Sequence, residues 1–387
     1  MLNNLKSTIT TLCLWSLLLG GLFTFSNLVN ASVLPQDRSD VMYHRYEGDG
    51  VSIDGPSVLL RKQIGNHVSI SANYYVDTVS GASIDVRATA SPYEEQRKEA
   101  TVGGDFLHEK TLLSVSYTNS SENDFEANSV YVGINQSFFG DLSTVALSWS
   151  KGWDEVGVRG DENFLEEADR QKFGFSFTQI LTKSLIMGFA SEHVSDEGYL
   201  NNPYRSIRFV DPNSERGFRF TRESYPNTRS SNAYSINANY YLPYRAALYA
   251  DARIYQDSWG IDATNYKLGY IHPIDDFIID VFVRHYSQEA ADFYSDLFSR
   301  ENEFNFMARD KEMSTYSGFT AGLHLSYEWK FSETATFKKS SVHFEYDYMR
   351  FDYDDFRDVT VTDAPVGEEP LFGFSANVFK IYASVWY

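Results

Sequence analysis

Apolar and polar residues alternate along nearly the whole chain with a period of two. From Val68 to Asp77 the apolar positions are Val68, Ile70, Ala72, Tyr74 and Val76, while Ser69, Ser71, Asn73, Tyr75 and Asp77 point the other way. The rhythm returns at Leu113, Val115, Tyr117, at Val145, Leu147, Trp149, at Phe173, Phe175, Phe177 and at Tyr234, Ile236, Ala238, Tyr240. Its longest run, Phe319, Ala321, Leu323, Leu325, Tyr327 and Trp329, is followed by Val342, Phe344, Tyr346 and Tyr348. Successive side chains of a strand point to opposite sides, so this spacing predicts strands with two unlike faces. Many of the stretches approach the roughly 9–11 residues that carry a tilted strand across a bilayer.

Alternation alone also suits a soluble sandwich, whose wet face lies outside. The connections separate the two, because short and long ones take turns. Short connections are expected near Gly65-Asn66, Glu109-Lys110, Gly140-Asp141, Thr182-Lys183, Pro243-Tyr244, 273–276 and 331–336. Long or polar ones are expected at 80–97, 119–125, 154–170, 195–230, 287–314 and 352–371, with a shorter member at 257–261. Tight periplasmic turns opposite long extracellular loops are the asymmetry of bacterial outer-membrane barrels. The fold expected is all-β: a transmembrane antiparallel up-and-down β-barrel of roughly sixteen strands, or roughly fourteen if the first segments lie inside or below it.

Both ends of the chain agree. A basic residue, Lys6, precedes an apolar run from Thr8 to Val29, which closes on Val29-Asn30-Ala31. This is the form of a secretory signal cleaved after Ala31. The expected organisation is a signal peptide at 1–31, a short periplasmic segment at 32–40 and the barrel at 41–387. The last residues place Phe379, Ile381, Ala383, Val385 and Tyr387 on one face and Lys380, Tyr382, Ser384 and Trp386 on the other. An amphipathic strand ending in an aromatic is the form that the barrel-assembly machinery recognises, so Phe379, Ile381, Val385 and Tyr387 are the expected assembly signal.

Composition narrows the chemistry. The single cysteine, Cys13, lies within the expected signal, leaving no thiol for disulfides or metal ligation after cleavage. A formal charge of −20 argues against nucleic acid as a partner. The 27 Tyr and 29 Phe are many for an acidic soluble protein and suit lipid-facing aromatic belts. The expected surroundings are outer-membrane lipid and lipopolysaccharide.

The stretches Met42-Tyr43-His44-Arg45-Tyr46, 50–57, Ser71-Ala72-Asn73-Tyr74-Tyr75-Val76-Asp77, 80–85 and Ala90-Ser91-Pro92-Tyr93 resemble the bacterial family catalogued as domain of unknown function 3570. Gly152-Trp153-Asp154-Glu155, 351–357 and the ending Val385-Trp386-Tyr387 are similar to it as well. The resemblance implies an outer-membrane barrel without an established activity, and it carries over no catalytic or binding residue. It also implies an association with periplasmic redox or flavin-related proteins, and so a periplasmic partner.

On the faces expected to line the interior, His324 and Glu328 neighbour His343, Glu345 and Asp347, a set that suits either a hydrogen-bonded polar wall or a divalent metal. Asp251 and Arg253 face Asp280 and Arg284 two strands along. Mixed signs there either shape ion selectivity or neutralise one another in a narrow lumen. The longest loop carries Arg205, Arg208, Arg216, Arg219 and Arg222 among aromatic residues, which suits an inward-folded constriction or a surface contact with an anionic ligand. Asp352, Asp354, Asp355 and Asp358, near Glu368 and Glu369, form an acidic rim that calcium would suit, although the twelve-residue calcium loop is not matched. No hydrolase elbow, phosphate loop, dinucleotide fingerprint or zinc-protease motif occurs, and His193 two residues from Ser191 is a weak pairing. Neither an enzyme nor a cofactor is expected. The expected function is a porin-like channel or transporter for small solutes, the alternative being a closed structural or partner-binding barrel. The sequence leaves the oligomeric state open.

Overall fold

The computed structural model describes residues 32–81, 84, 93–332 and 336–387. The expected signal and most of the 82–92 connection lie outside the described residues. The strands in chain order are β1 (Arg38–Gly48), β2 (Val51–Ile64), β3 (Val68–Gly81), β4 (Tyr93–His108), β5 (Thr111–Ser121), β6 (Phe125–Phe138), β7 (Ser143–Val158), β8 (Asp161–Ile180) and β9 (Leu185–Gly198). There follow β10 (Ser206–Val210), β11 (Phe218–Arg222), β12 (Thr228–Tyr241), β13 (Ala247–Asp257), β14 (Asp262–Ile274), β15 (Phe277–Gln288), β16 (Tyr316–Lys330), β17 (Lys339–Arg357) and β18 (Leu371–Trp386). The β10–β11 pair stands apart. All other strands form a closed antiparallel barrel of sixteen, with β9 paired to β12 and β18 to β1. β1 and β2 are full members of the wall, which excludes the fourteen-strand alternative.

Closure satisfies the backbone of both edge strands, which would otherwise be templates for aggregation. The register runs from Arg38 opposite Trp386 to Gly48 opposite Ala376. The two faces separate by chemistry. Outward side chains such as Leu113, Val115, Leu147, Phe175, Ile236, Leu268, Val281 and Ile381 are exposed. Near the end where β1 begins, Phe138, Phe139, Tyr241, Tyr244, Phe277, Trp329 and Phe331 add exposed rings. Some ten residues higher the outer surface turns polar, as in the Lys151–Asp169 pair at 3.5 Å.

Inside, several rings lie flat because glycine stands opposite them. A Cβ on Gly269 would fall 2.1 Å from the Tyr249 ring, and one on Gly322 2.1 Å from the Phe282 ring. Each glycine is the direct cross-strand partner of its ring.

The end where β1 begins and β18 finishes carries tight turns. The opposite end carries the connections at 199–227, 289–315 and 358–370. Two expected loops are corrected. Residues 154–170 are β7 and β8 pairing onward to a turn at Arg159-Gly160, where Gly160 takes φ +84°. The 119–125 segment shrinks to residues 122–124. Acidic composition suggested loops, yet backbone pairing does not require an apolar side chain, and the β7–β8 hairpin buries few, Val156 among them. β1 also begins at Arg38, slightly earlier than expected. Residues 32–37 bridge the turn end, with the Ser32 N–H and hydroxyl donating to the Ser137 hydroxyl and the Asn135 carbonyl on β6. At the segment's other end Asp37 accepts from Lys62 and the Gln63 N–H on β2.

Candidate functional site

For the charged residues expected inside, the register decides their partners. His324 on β16 stands opposite Glu345 on β17; its Nε2 lies 3.1 Å from Asp347 and its Nδ1 3.9 Å from Asp280 on β15. The Tyr249 hydroxyl donates to Asp280 at 2.9 Å. Glu345 meets Lys380 at 3.6 Å, and Glu328 pairs with Lys339. Arg284 donates to Asn265 at 2.6 Å, Arg253 pairs with Glu192 at 3.2 Å, and Asp251 stands opposite Lys267. His343 stacks on Tyr382 and hydrogen-bonds Ser326 and Ser341, each at 2.6 Å. The two histidines therefore keep separate partners and do not converge as one metal set. Sequence reading missed the cations Lys172, Lys267 and Lys339 and named Lys380 without its partner Glu345; their signal was the same alternation that exposed the acids.

The arginine loop divides. Arg205 and Arg208 are buried, whereas Arg216, Arg219 and Arg222 stay exposed, Arg219 pairing with Asp211 and Arg222 lying over the Phe164 ring. Arg208 is wholly buried: it donates to Glu369 at 2.6 and 3.0 Å, pairs with Asp296, and lies over Phe218. Asp296 also holds Arg309 at 3.0 Å. Arg205 meets Asp310 at 3.2 Å, and Lys311 meets Asp49 at the β1–β2 tip at 3.2 Å. Backbone bridges join the loops, Phe209 to Phe298 and Ser224 to Met307.

The contacts run right across the mouth. From the β5–β6 tip, Asp124 takes the Tyr204 hydroxyl on the 199–227 loop. That loop is bridged to 289–315, which reaches the β1–β2 tip through Lys311. The 358–370 connection is tied in by Glu369. Together these segments form a plug over the loop end. Its acids differ by surroundings. Burial and then the Asp310 charge push the Glu223 carboxyl up to about 7, against the hydrogen bond it accepts from Tyr225 at 2.6 Å. Burial opposes ionisation of Glu369 too, but Arg208 outweighs it and holds that carboxyl below its ordinary range.

The acidic rim is dispersed. Asp352 pairs with Arg350 at 2.7 Å, Asp355 accepts the Thr315 N–H at 2.9 Å, Asp358 accepts from Thr360, and Glu369 belongs to Arg208. These four carboxylates therefore have separate partners. His193 lies exposed, 3.0 Å from Asn232, on a neighbouring strand.

A closed barrel with an apolar exterior, a charged interior and a plug over one mouth defines a porin-like architecture. The chain belongs to the family described as "Protein of unknown function (DUF3570)", whose profile matches residues 83–355. The resembling stretches at 42–57, 71–77 and 385–387 fall outside that match. No curated protein matches the chain in sequence. Among solved structures it is similar to a Pseudomonas aeruginosa FadL homologue, with 10% identity over 93% of this chain and 92% of that one and a TM-score of 0.42. CdiB from Acinetobacter baumannii gives 8% identity over 91% of this chain and 60% of that one, with a TM-score of 0.48. A bacterial polysaccharide outer membrane secretin gives 6%, 90%, 99% and 0.47 for the same quantities.

Proposed function

We propose that the protein is exported by a signal cleaved after Ala31 and spans the outer membrane as a channel for small solutes, its outer mouth narrowed by the plug. The apolar outer band supports insertion, since soluble monomers rarely expose apolar patches beyond a few hundred Å². Its lipid contacts are outer-membrane lipid and lipopolysaccharide, and Phe379, Ile381, Val385 and Tyr387 are its signal to the assembly machinery.

One observation carries the channel: beneath the plug the charged wall is not packed shut. The side chains of Asp280 and His324 keep 23% of their exposure and Arg253 keeps 28%. Paired charges in a dry core would be costly, whereas a wet lumen holds them readily. The cross-mouth plug favours the second reading, a closed barrel that binds a partner, a periplasmic one included. Planar-bilayer recording of purified protein separates them. Discrete steps in wild type, enlarged when 206–222 is replaced by a short Gly-Ser linker, are expected. Silence from both inserted proteins leaves the closed barrel.

A further inference from the structure

Glu95 near the top of β4 and Glu122 and Asp124 in the β5–β6 tip bring carboxylate oxygens within 4.8 Å of one another. Like charges this close repel unless protons or a cation intervene. Glu95 is only 3% exposed; its Oε1 accepts the Asn123 N–H at 3.2 Å, but its Oε2 has no hydrogen-bond partner. The Oε2 of Glu122 is likewise enclosed without one. Buried carboxylate oxygens without donors are rare, because each forfeits its hydration. Two neighbouring charges have partners of their own, Arg97 with Glu99 at 2.9 Å and Asp77 with His44 at 2.7 Å, while Arg159 acts on Glu95 only through its charge.

We propose that Glu95, Glu122 and Asp124 bind a divalent cation of the calcium kind. The donors are all hard oxygens, which suit calcium or magnesium, and calcium accepts the more irregular ligand geometry of the two. Waters and main-chain carbonyls at the tip would complete its shell. The position gives the ion a task. Asp124 is where the Tyr204 hydroxyl fastens the plug to the wall, and the same hydroxyl accepts the Arg159 N–H at 2.8 Å from the β7–β8 tip. A bound cation fixes the Asp124 carboxylate in the pose that Tyr204 needs, so divalent ions outside the cell tighten the plug.

The test is direct binding to the full-length protein in detergent after EDTA treatment, independent of any conductance. Tb³⁺ is titrated with tyrosine excitation, Tyr204 being the energy donor. Saturable sensitised emission is expected, displaced by Ca²⁺ at about 1 mM or below. Affinity should fall about tenfold or more in the Glu95→Gln/Glu122→Gln variant, which loses two ligand charges. That variant also loses the mutual repulsion, so it should fold, as heat-dependent electrophoretic mobility reports; Glu122→Gln alone serves if it does not. In wild type, Ca²⁺ should slow proteolysis within 199–227, and in the variant it should not. No sensitised emission from folded wild type, or equal affinity in the folded variant, overturns the site.

Discussion

Glu223 shows how one buried acid sets the conditions under which the plug is firm. It accepts the Tyr225 hydroxyl and the Arg309 N–H, with Asp310 and Arg205 as its charged neighbours. Its carboxyl titrates near 7 in place, against an ordinary 4.5, so the packed plug holds this proton more tightly than an opened one. The resulting stability is complete below about 4.5 and is lost as pH rises to about 7. Protection factors across 199–227, corrected for the intrinsic pH dependence of amide exchange, should therefore fall from acidic to neutral pH, and Glu223→Gln should flatten that dependence. Arg208 acts in the opposite sense. Arg208→Ala leaves Glu369 and Asp296 without the guanidinium in a closed setting, a loss of about 3–5 kcal/mol. Limited proteolysis of the three loops should show it, with Arg208→Lys restoring only part, because an ammonium cannot make the forked contact to Glu369.

At the scale of the strand, each position has an outer-face or inner-face identity, and substitution costs follow it. Ile381→Arg sets a charge in the apolar band and should cost about 2–4 kcal/mol, read in refolding titrations, whereas a basic residue at neighbouring position 380 is native. Gly269→Leu should displace the Tyr249 ring and break its bond to Asp280, disturbing the wall locally without changing the strand count; tyrosine fluorescence would report the move. The strands were legible because burial on one side alone writes a period of two into the sequence. The upper parts of β7 and β8 were not legible: Glu155, Asp161, Glu166 and Glu167 pair through their backbones above the band, where no apolar face marks a strand. Opposite charges on neighbouring strands were recognisable as inward, but which met which depended on register. His324 thus joins Asp347 and Asp280, while His343 ends between two serines.

In the whole molecule the plug is a product of loops far apart in sequence. Arg205 and Arg208 stood out among rings, yet nothing local announced Asp296, Arg309, Asp310 or Lys311, which gain meaning only when the barrel sets their loops over one mouth. The acidic segment at 352–369 drew attention by density, while the cluster of Glu95, Glu122 and Asp124 forms only through pairing of β4 with β5. If the plug restricts flow, its removal should enlarge conductance while leaving ion preference to the wall around Glu328, Glu345 and Asp347.

The β1–β18 seam joins the first strand to the last. No partial chain can therefore reach the finished topology, however much of it has been made. Until Leu371–Trp386 arrives, β1 and β17 both present raw edges, and the contact that removes them is among the most distant in the chain. Folding should be slow and completed at a single late event, and the waiting chain must be shielded until then. A deletion confined to β18 should then produce aggregation and degradation of the entire polypeptide, not a barrel lacking one stave.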